Sequence, residues 1–123
     1  MKQKIILDTN MLMVPAQFRV DIFEHMKRFS PEFFTFSSCM DELEKIAVLH
    51  SRSAGNARIA LELARKNDVK VLETKESADK AILNYAKLHN VIVATNDRKL
   101  IKSLKACEIK IIRLRQKKYI AIE

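Results

Sequence analysis

The chain has 123 residues, 48% of them apolar, with one Gly and two Pro. That is enough apolar mass for one hydrophobic core; it argues against a disordered chain, and so few turn-formers argue against an all-β protein of tight hairpins. Lys and Arg outnumber Asp and Glu by 23 to 15, a formal charge of +8, which suits a polyanionic partner, RNA or DNA first and an anionic membrane surface second. No apolar run approaches the ~20 residues needed to span a bilayer, and no secretion signal precedes the first strand. The expectation is a cytoplasmic protein with no membrane partner, in which Cys39 and Cys107 are reduced core thiols.

Taken in chain order, Ile5–Leu7 reads as a buried strand that runs straight into Asp8-Thr9-Asn10 with no Gly or Pro to mark a turn. A helical pattern covers 19–29, and Phe33–Phe36 reads as a second strand with its aromatics in the core. Helical patterns at 38–50 and 55–66 flank "HSRSAGNAR", which holds the only Gly and predicts a mobile loop. Strand Val69–Leu72, helix 76–89, strand Val91–Ala94, helix 97–106 and strand Ile109–Ile112 follow. "RLRQKK", 113–118, reads as a solubilising run, and Tyr119–Ile122 as a short edge strand. Apolar, non-alternating strands between helices imply an α/β protein whose mostly parallel sheet is covered on both faces, as one domain over 1–123. Ligands of such sheets bind beyond the carboxyl ends of the strands. Asp8 and Asp97 fall at such ends.

Giving each helical residue ~100° of rotation shows where the acids point. In 38–50, Met40, Leu43, Ile46, Ala47, Cys39 and Leu49 form one apolar arc, and Glu42 falls inside it. In 76–89, Asp79 falls between Leu83 and Ala86 on the inner side, while Lys80, Asn84 and Lys87 face out. In 97–106, Asp97 lies near the centre of the apolar face of Leu100, Ile101 and Leu104. Each acid has a bland reading: Asp8 and Asp97 as helix N-caps, Asp79 as a first-turn acid favoured by the helix dipole, Glu42 as a side chain leaning to solvent. Together they are harder to dismiss, because a buried, unpaired carboxylate costs several kcal/mol or takes up a proton. No Lys or Arg falls clearly within these arcs. A divalent cation would neutralise them, and oxygen-only ligands suit Mg²⁺ or Mn²⁺.

These motifs resemble those of PIN domains, a family of metal-dependent nucleases. "LDTN" places an Asp after the first strand, "DELEKI" a Glu on a helix, "ADKAI" an Asp opening a helix, and "ATNDRKL" an Asp after the next strand. Asp8, Glu42, Asp79 and Asp97 match in order, and the similarity runs over essentially the whole chain. "DTNMLMVPAQFRVDIF" and "IVATNDRKL" are similar to archaeal PIN proteins of VapC type that resemble the eukaryotic small-subunit processome nuclease. Relatives often carry two adjacent acids where this chain has Asp79-Lys80, which bears on metal affinity or a second metal. The chain also lacks the Cys-rich zinc ribbon of longer ribosome-processing relatives.

The resemblance implies a three-layer α/β/α fold and an endoribonuclease that uses Mg²⁺ or Mn²⁺ to hydrolyse RNA phosphodiesters, leaving a 5′-phosphate and a 3′-hydroxyl. On that reading Asp8, Asp79 and Asp97 hold the metal directly or through water, and Glu42 orients the attacking water. Asn10, Thr95 and Asn96 hydrogen-bond and orient the acids, or serve as ordinary turn and cap residues. Arg52, Arg58 and Arg98 are the basic groups expected nearest the mouth for RNA. Lys99, Lys102 and Lys105 read as a solvated helix face. Two biological settings follow, a VapC-like toxin held by an antitoxin protein or an enzyme maturing ribosomal RNA on pre-ribosomal particles, with homodimers common among similar proteins. The rival class is a non-catalytic RNA-binding or scaffold module on the same fold. His25, His50 and His89 are too scattered for zinc, and there is no CxxC, HExxH, P-loop or GxSxG.

Overall fold

A computed structural model describes residues 2–123. Strand β1 (Gln3–Leu7) is followed by helix α1 (Thr9–Phe18), α2 (Ile22–Met26) with a 3-10 turn over Lys27–Phe29, and β2 (Pro31–Phe36). Then come α3 (Ser37–Ala47), α4 (Arg52–Lys66), β3 (Lys70–Leu72), α5 (Ala78–Leu88), β4 (Ile92–Ala94), α6 (Arg98–Ala106), β5 (Ile111–Arg115) and β6 (Tyr119–Ile122). The sheet order is β3-β2-β1-β4-β5-β6. Every neighbouring pair is parallel except β5 with β6.

Because side chains alternate across a strand, β1 feeds both faces of the sheet. Ile5 and Leu7 join a core with α1, α2 and α4, while Ile6 joins a second core with α5 and α6. Helix α3 contributes Leu43 to the first core and Cys39 to the second. The result is a mostly parallel sheet between two helical layers, as the apolar strands imply. The strand order reverses at β1, which pairs with β2 on one side and β4 on the other. A crevice opens beyond the carboxyl ends of β1 and β4, at the place where open α/β sheets take ligands.

Several local expectations need correction. Helix α1 was not legible as a helix, because the unbroken buried run Met11, Leu12, Met13 and Val14 masks the period, although Asn10 and Gln17 are exposed. Pro15 sits inside it and lacks the N–H that would complete a rung, which further hides the helix in the sequence. The pattern at 19–29 shrinks to α2, capped by Asp21, because Arg19 takes a left-handed conformation (φ 56°) and ends α1. The expected loop around Gly55 is the first turn of α4. "RLRQKK" is mostly a hairpin: Gln116 and Lys117 have φ of 52° and 57°, and Lys118 N–H bonds Arg115 C=O at 3.0 Å. Two successive left-handed residues make the type of turn that matches strand twist. Arg113 and Arg115 then lie beside Glu123 rather than in open solvent. Cys39 is buried, but Cys107 is exposed just past the end of α6.

A side chain at Gly55 would meet nothing nearer than the flexible Arg58 guanidinium at 4.0 Å. Gly55→Ala is therefore expected to stabilise the fold by about 0.5–1 kcal/mol, by restricting the unfolded chain without creating strain. Urea denaturation of the two proteins checks it.

Candidate active site

The crevice holds a cleft of about 260 Å³ lined by Asp8, Thr9, Asn10, Glu42, Ser77, Ala78, Asp79 and Asp97. Strand β1 delivers Asp8, the first turns of α5 and α6 deliver Asp79 and Asp97, and the middle of α3 delivers Glu42. The acids differ in burial, and the wheel reading is corrected here. Asp8 is buried and Asp97 half-buried, but Glu42 and Asp79 are exposed. Their helices pack at the open carboxyl end of the sheet, so the inner side of each arc looks into the cleft at that level and not into the core.

Asp8 is also the N-cap of α1, its Oδ1 accepting from Met11 N–H at 2.8 Å. Its Oδ2 accepts from the hydroxyl of Thr95, a fully buried residue following β4. The same Thr95 Oγ1 accepts from Asp97 N–H at 3.1 Å. One hydroxyl thereby fixes Asp8 and the backbone of Asp97 relative to each other. Asp97 caps α6, accepting from Lys99 N–H at 2.9 Å and Leu100 N–H at 3.2 Å. The capping and cleft-lining readings of Asp8 and Asp97 thus hold together, since capping orients a carboxylate without using all its lone pairs.

The remaining predicted residues are divided. Asn10 lines the cleft with an exposed side chain. Asn96 does not serve the acids through its oxygen, which accepts from Leu114 N–H at 2.7 Å and ties the β4 end to β5. None of Arg52, Arg58 and Arg98 lines the cleft. Arg58 donates to Ala47 C=O at 2.9 Å and clasps the end of α3 to α4, which is a structural use. Arg52 and Arg98 are exposed at the starts of α4 and α6, Arg98 directly beside Asp97. Thr9 and Ser77 also line the cleft and were missed. Position was the available signal: Thr9 follows Asp8, and Ser77 stands where a cap precedes α5.

Burial pushes the Asp8 carboxyl up from the ordinary 3.8 to about 6; the Thr95 and Met11 hydrogen bonds oppose the rise, while the negative Asp97 and Asp79 add to it. The cleft lining contains no Lys or Arg. Among the described residues, none of the cleft acids takes part in an ion pair. An all-oxygen lining with concentrated negative charge fits a hard divalent cation such as Mg²⁺ or Mn²⁺. Among the described residues, no three Asp, Glu, His or Cys side chains converge closely enough to enclose an ion alone. The fit is to a hydrated ion held partly through water, as Mg²⁺ prefers.

Comparison with known proteins gives the class. The description "PIN like domain" fits residues 5–117, and the chain belongs to that family. It is 39% identical to a protein named Ribonuclease VapC4 from Methanocaldococcus jannaschii, over 97% of this chain and 95% of that one. It is 28% identical to Ribonuclease VapC9 from Archaeoglobus fulgidus, over 96% of this chain and 87% of the relative. A solved structure described as the PIN domain endonuclease Utp24 superposes with a TM-score of 0.80 at 26% identity, covering 98% of this chain and 90% of that one. The chain is thus a VapC-like PIN-domain nuclease. No helix among the described residues is long and apolar enough to cross a membrane.

The raised pKa of Asp8 has a signed consequence. The folded state holds this proton more tightly than the unfolded chain does. Stability from this group is therefore greatest below pH 3.8, is lost as pH rises, and becomes a full penalty above pH 6. That penalty is of order 3 kcal/mol. In metal-free buffer, Asp8→Asn is expected to raise stability by about 1–3 kcal/mol near neutral pH and to lose that advantage near pH 4. Urea denaturation across the pH range reads it directly.

Proposed function

We propose that the protein is a Mg²⁺- or Mn²⁺-dependent endoribonuclease that hydrolyses internal phosphodiesters of RNA to a 5′-phosphate and a 3′-hydroxyl. The observation that carries the reading is the unneutralised cluster of acids in an open cleft on a basic, VapC-like chain. Asp8, Asp79 and Asp97 would hold the ion, in part through water, and Glu42 would orient the attacking water. A bound divalent ion supplies Lewis-acid polarisation of the phosphate and lowers the pKa of that water. Thr95 keeps the Asp8 carboxylate turned toward Asp97, and the Met11 N–H holds its other oxygen. Asn10, at the cleft wall, donates its amide to a carboxylate or a phosphate oxygen. Arg52 and Arg98 contact RNA phosphates outside the cleft. A scaffold module would use Asp8 as the cap of α1 but would have no need of Glu42, Asp79 and Asp97 gathered beside it, unpaired among the described residues.

The likeness to VapC ribonucleases favours a toxin held by a short antitoxin protein, and the likeness to Utp24 supports work on pre-ribosomal RNA. Co-purification with a short partner distinguishes the first from co-sedimentation with pre-ribosomal particles.

Purified protein is expected to cut single-stranded RNA with Mn²⁺ or Mg²⁺ and to stop when EDTA removes the ion. Asp8→Asn and Asp97→Asn each lower the rate by about 100-fold or more, and Thr95→Val by about 10- to 100-fold. Gel electrophoresis of end-labelled RNA and its products is the measurement. Absence of any cutting by the wild type under these conditions would leave the scaffold reading.

A further inference from the structure

A second, shallower groove of about 130 Å³ runs between α5 and α6, lined by Asp79, Lys80, Leu83, Lys99, Leu100 and Ser103. It shares Asp79 with the acid cleft, so the two recesses flank the same side chain. Leu83 is half-buried and Leu100 buried, giving the groove an apolar floor, while Lys80 and Lys99 are exposed on opposite walls. Among the described residues neither lysine is in an ion pair, whereas Lys105, further along α6, is held by Glu123 at 2.8 Å. Lys102 is likewise exposed and outside the described ion pairs. The first recess is thus an acidic cavity without cations, and the adjoining one carries free cations over an apolar floor.

We propose that this α5–α6 groove is the path of the RNA strand next to the scissile phosphate. Lys80 and Lys99 grip the flanking phosphates, and a base or ribose lies over Leu83 and Leu100. A recess of about 130 Å³ takes the base or ribose of one strand, not the paired width of a duplex. A single strand fits, because it presents phosphates along one side and flat apolar faces along the other. At the Asp79 end a phosphate meets like charge, so the strand settles there only with a divalent ion between. That places the cut at the junction of the two recesses. The inference rests on the endoribonuclease reading for its direction of travel, but the grip on RNA is measured without cleavage.

The test compares Lys80→Ala/Lys99→Ala with Lys2→Ala/Lys110→Ala, which removes equal charge at the amino ends of β1 and β5, opposite the cleft. Binding of a short fluorescein-labelled oligouridylate is followed by anisotropy in EDTA over a range of salt. The groove pair is expected to weaken binding roughly tenfold at low salt and to flatten the log–log salt slope by about 1.4, while the control pair does neither. Ser103→Glu, which adds an anion to the groove wall, is expected to weaken binding as well. Equal losses in both pairs overturn the proposal, because the lysines then act only through net charge. If the wild type cuts RNA and the pairs do not differ, the groove fails and the nuclease reading stands. If the groove pair alone loses binding and the wild type never cuts, the groove stands as an RNA surface and the nuclease reading fails.

Discussion

A single buried hydroxyl joins the two halves of the site. Thr95 Oγ1 donates to Asp8 and accepts from the Asp97 N–H, across a separation of 87 residues in the chain. Both partners sit at strand ends that meet only because β4 pairs with β1 in register, Leu7 opposite Ala94. Around this contact the sheet supplies rigidity and the helices supply the other acids. Thr35 does similar service one strand away, its hydroxyl donating to Leu7 C=O at 2.8 Å and holding β2 to the end of β1. The carboxyl edge of the sheet is therefore pinned by threonine hydroxyls on each side of the strand that carries Asp8. A hydroxyl is well suited to this, since it can donate and accept at once.

The cleft is built against its own comfort. Asp8 is taken out of water and placed near two other carboxylates, a destabilising arrangement whose cause is visible in its raised pKa. Functional groups commonly sit in such surroundings, and structural ion pairs, which also perturb pKa values, are not found at these acids among the described residues. Exposed basic residues near the cleft lie on α5 and α6 and at the start of α4, and others are scattered over the rest of the surface. Four acids are gathered at the switch point, and none of the cleft lining is cationic. A long polyanion is attracted by the approaches and repelled by the centre unless a cation is present.

The sheet was legible because β1, β2 and β4 are buried on both faces and so read as continuous apolar runs. Asp8 and Asp97 were legible for the same reason, as acids that end such runs. Periodicity placed Glu42 and Asp79 on the inner arcs of their helices but could not say at what height those arcs meet the core, so their exposure was misjudged. Helix α1 was hidden because four consecutive buried residues, Met11 to Val14, blur the contrast that periodicity needs. Asn96 shows the limit of reading polar neighbours as helpers: its oxygen goes to the Leu114 N–H, a partner fixed by β5 and invisible from the local sequence. Arg58 misled in the same way, because the α3–α4 packing brings it to the Ala47 carbonyl.

The distance along the chain between Asp8 and Thr95 bears on when the cleft can form. Loop closure over such a span is slow compared with making a helix or a hairpin, and no local segment holds more than one wall of the cleft. A polypeptide still emerging from the ribosome, with β4 not yet made, carries its first aspartate with nothing to face it. The cleft is therefore a late product of folding, since its walls come from both halves of the chain and close on one another only once β1 and β4 are paired.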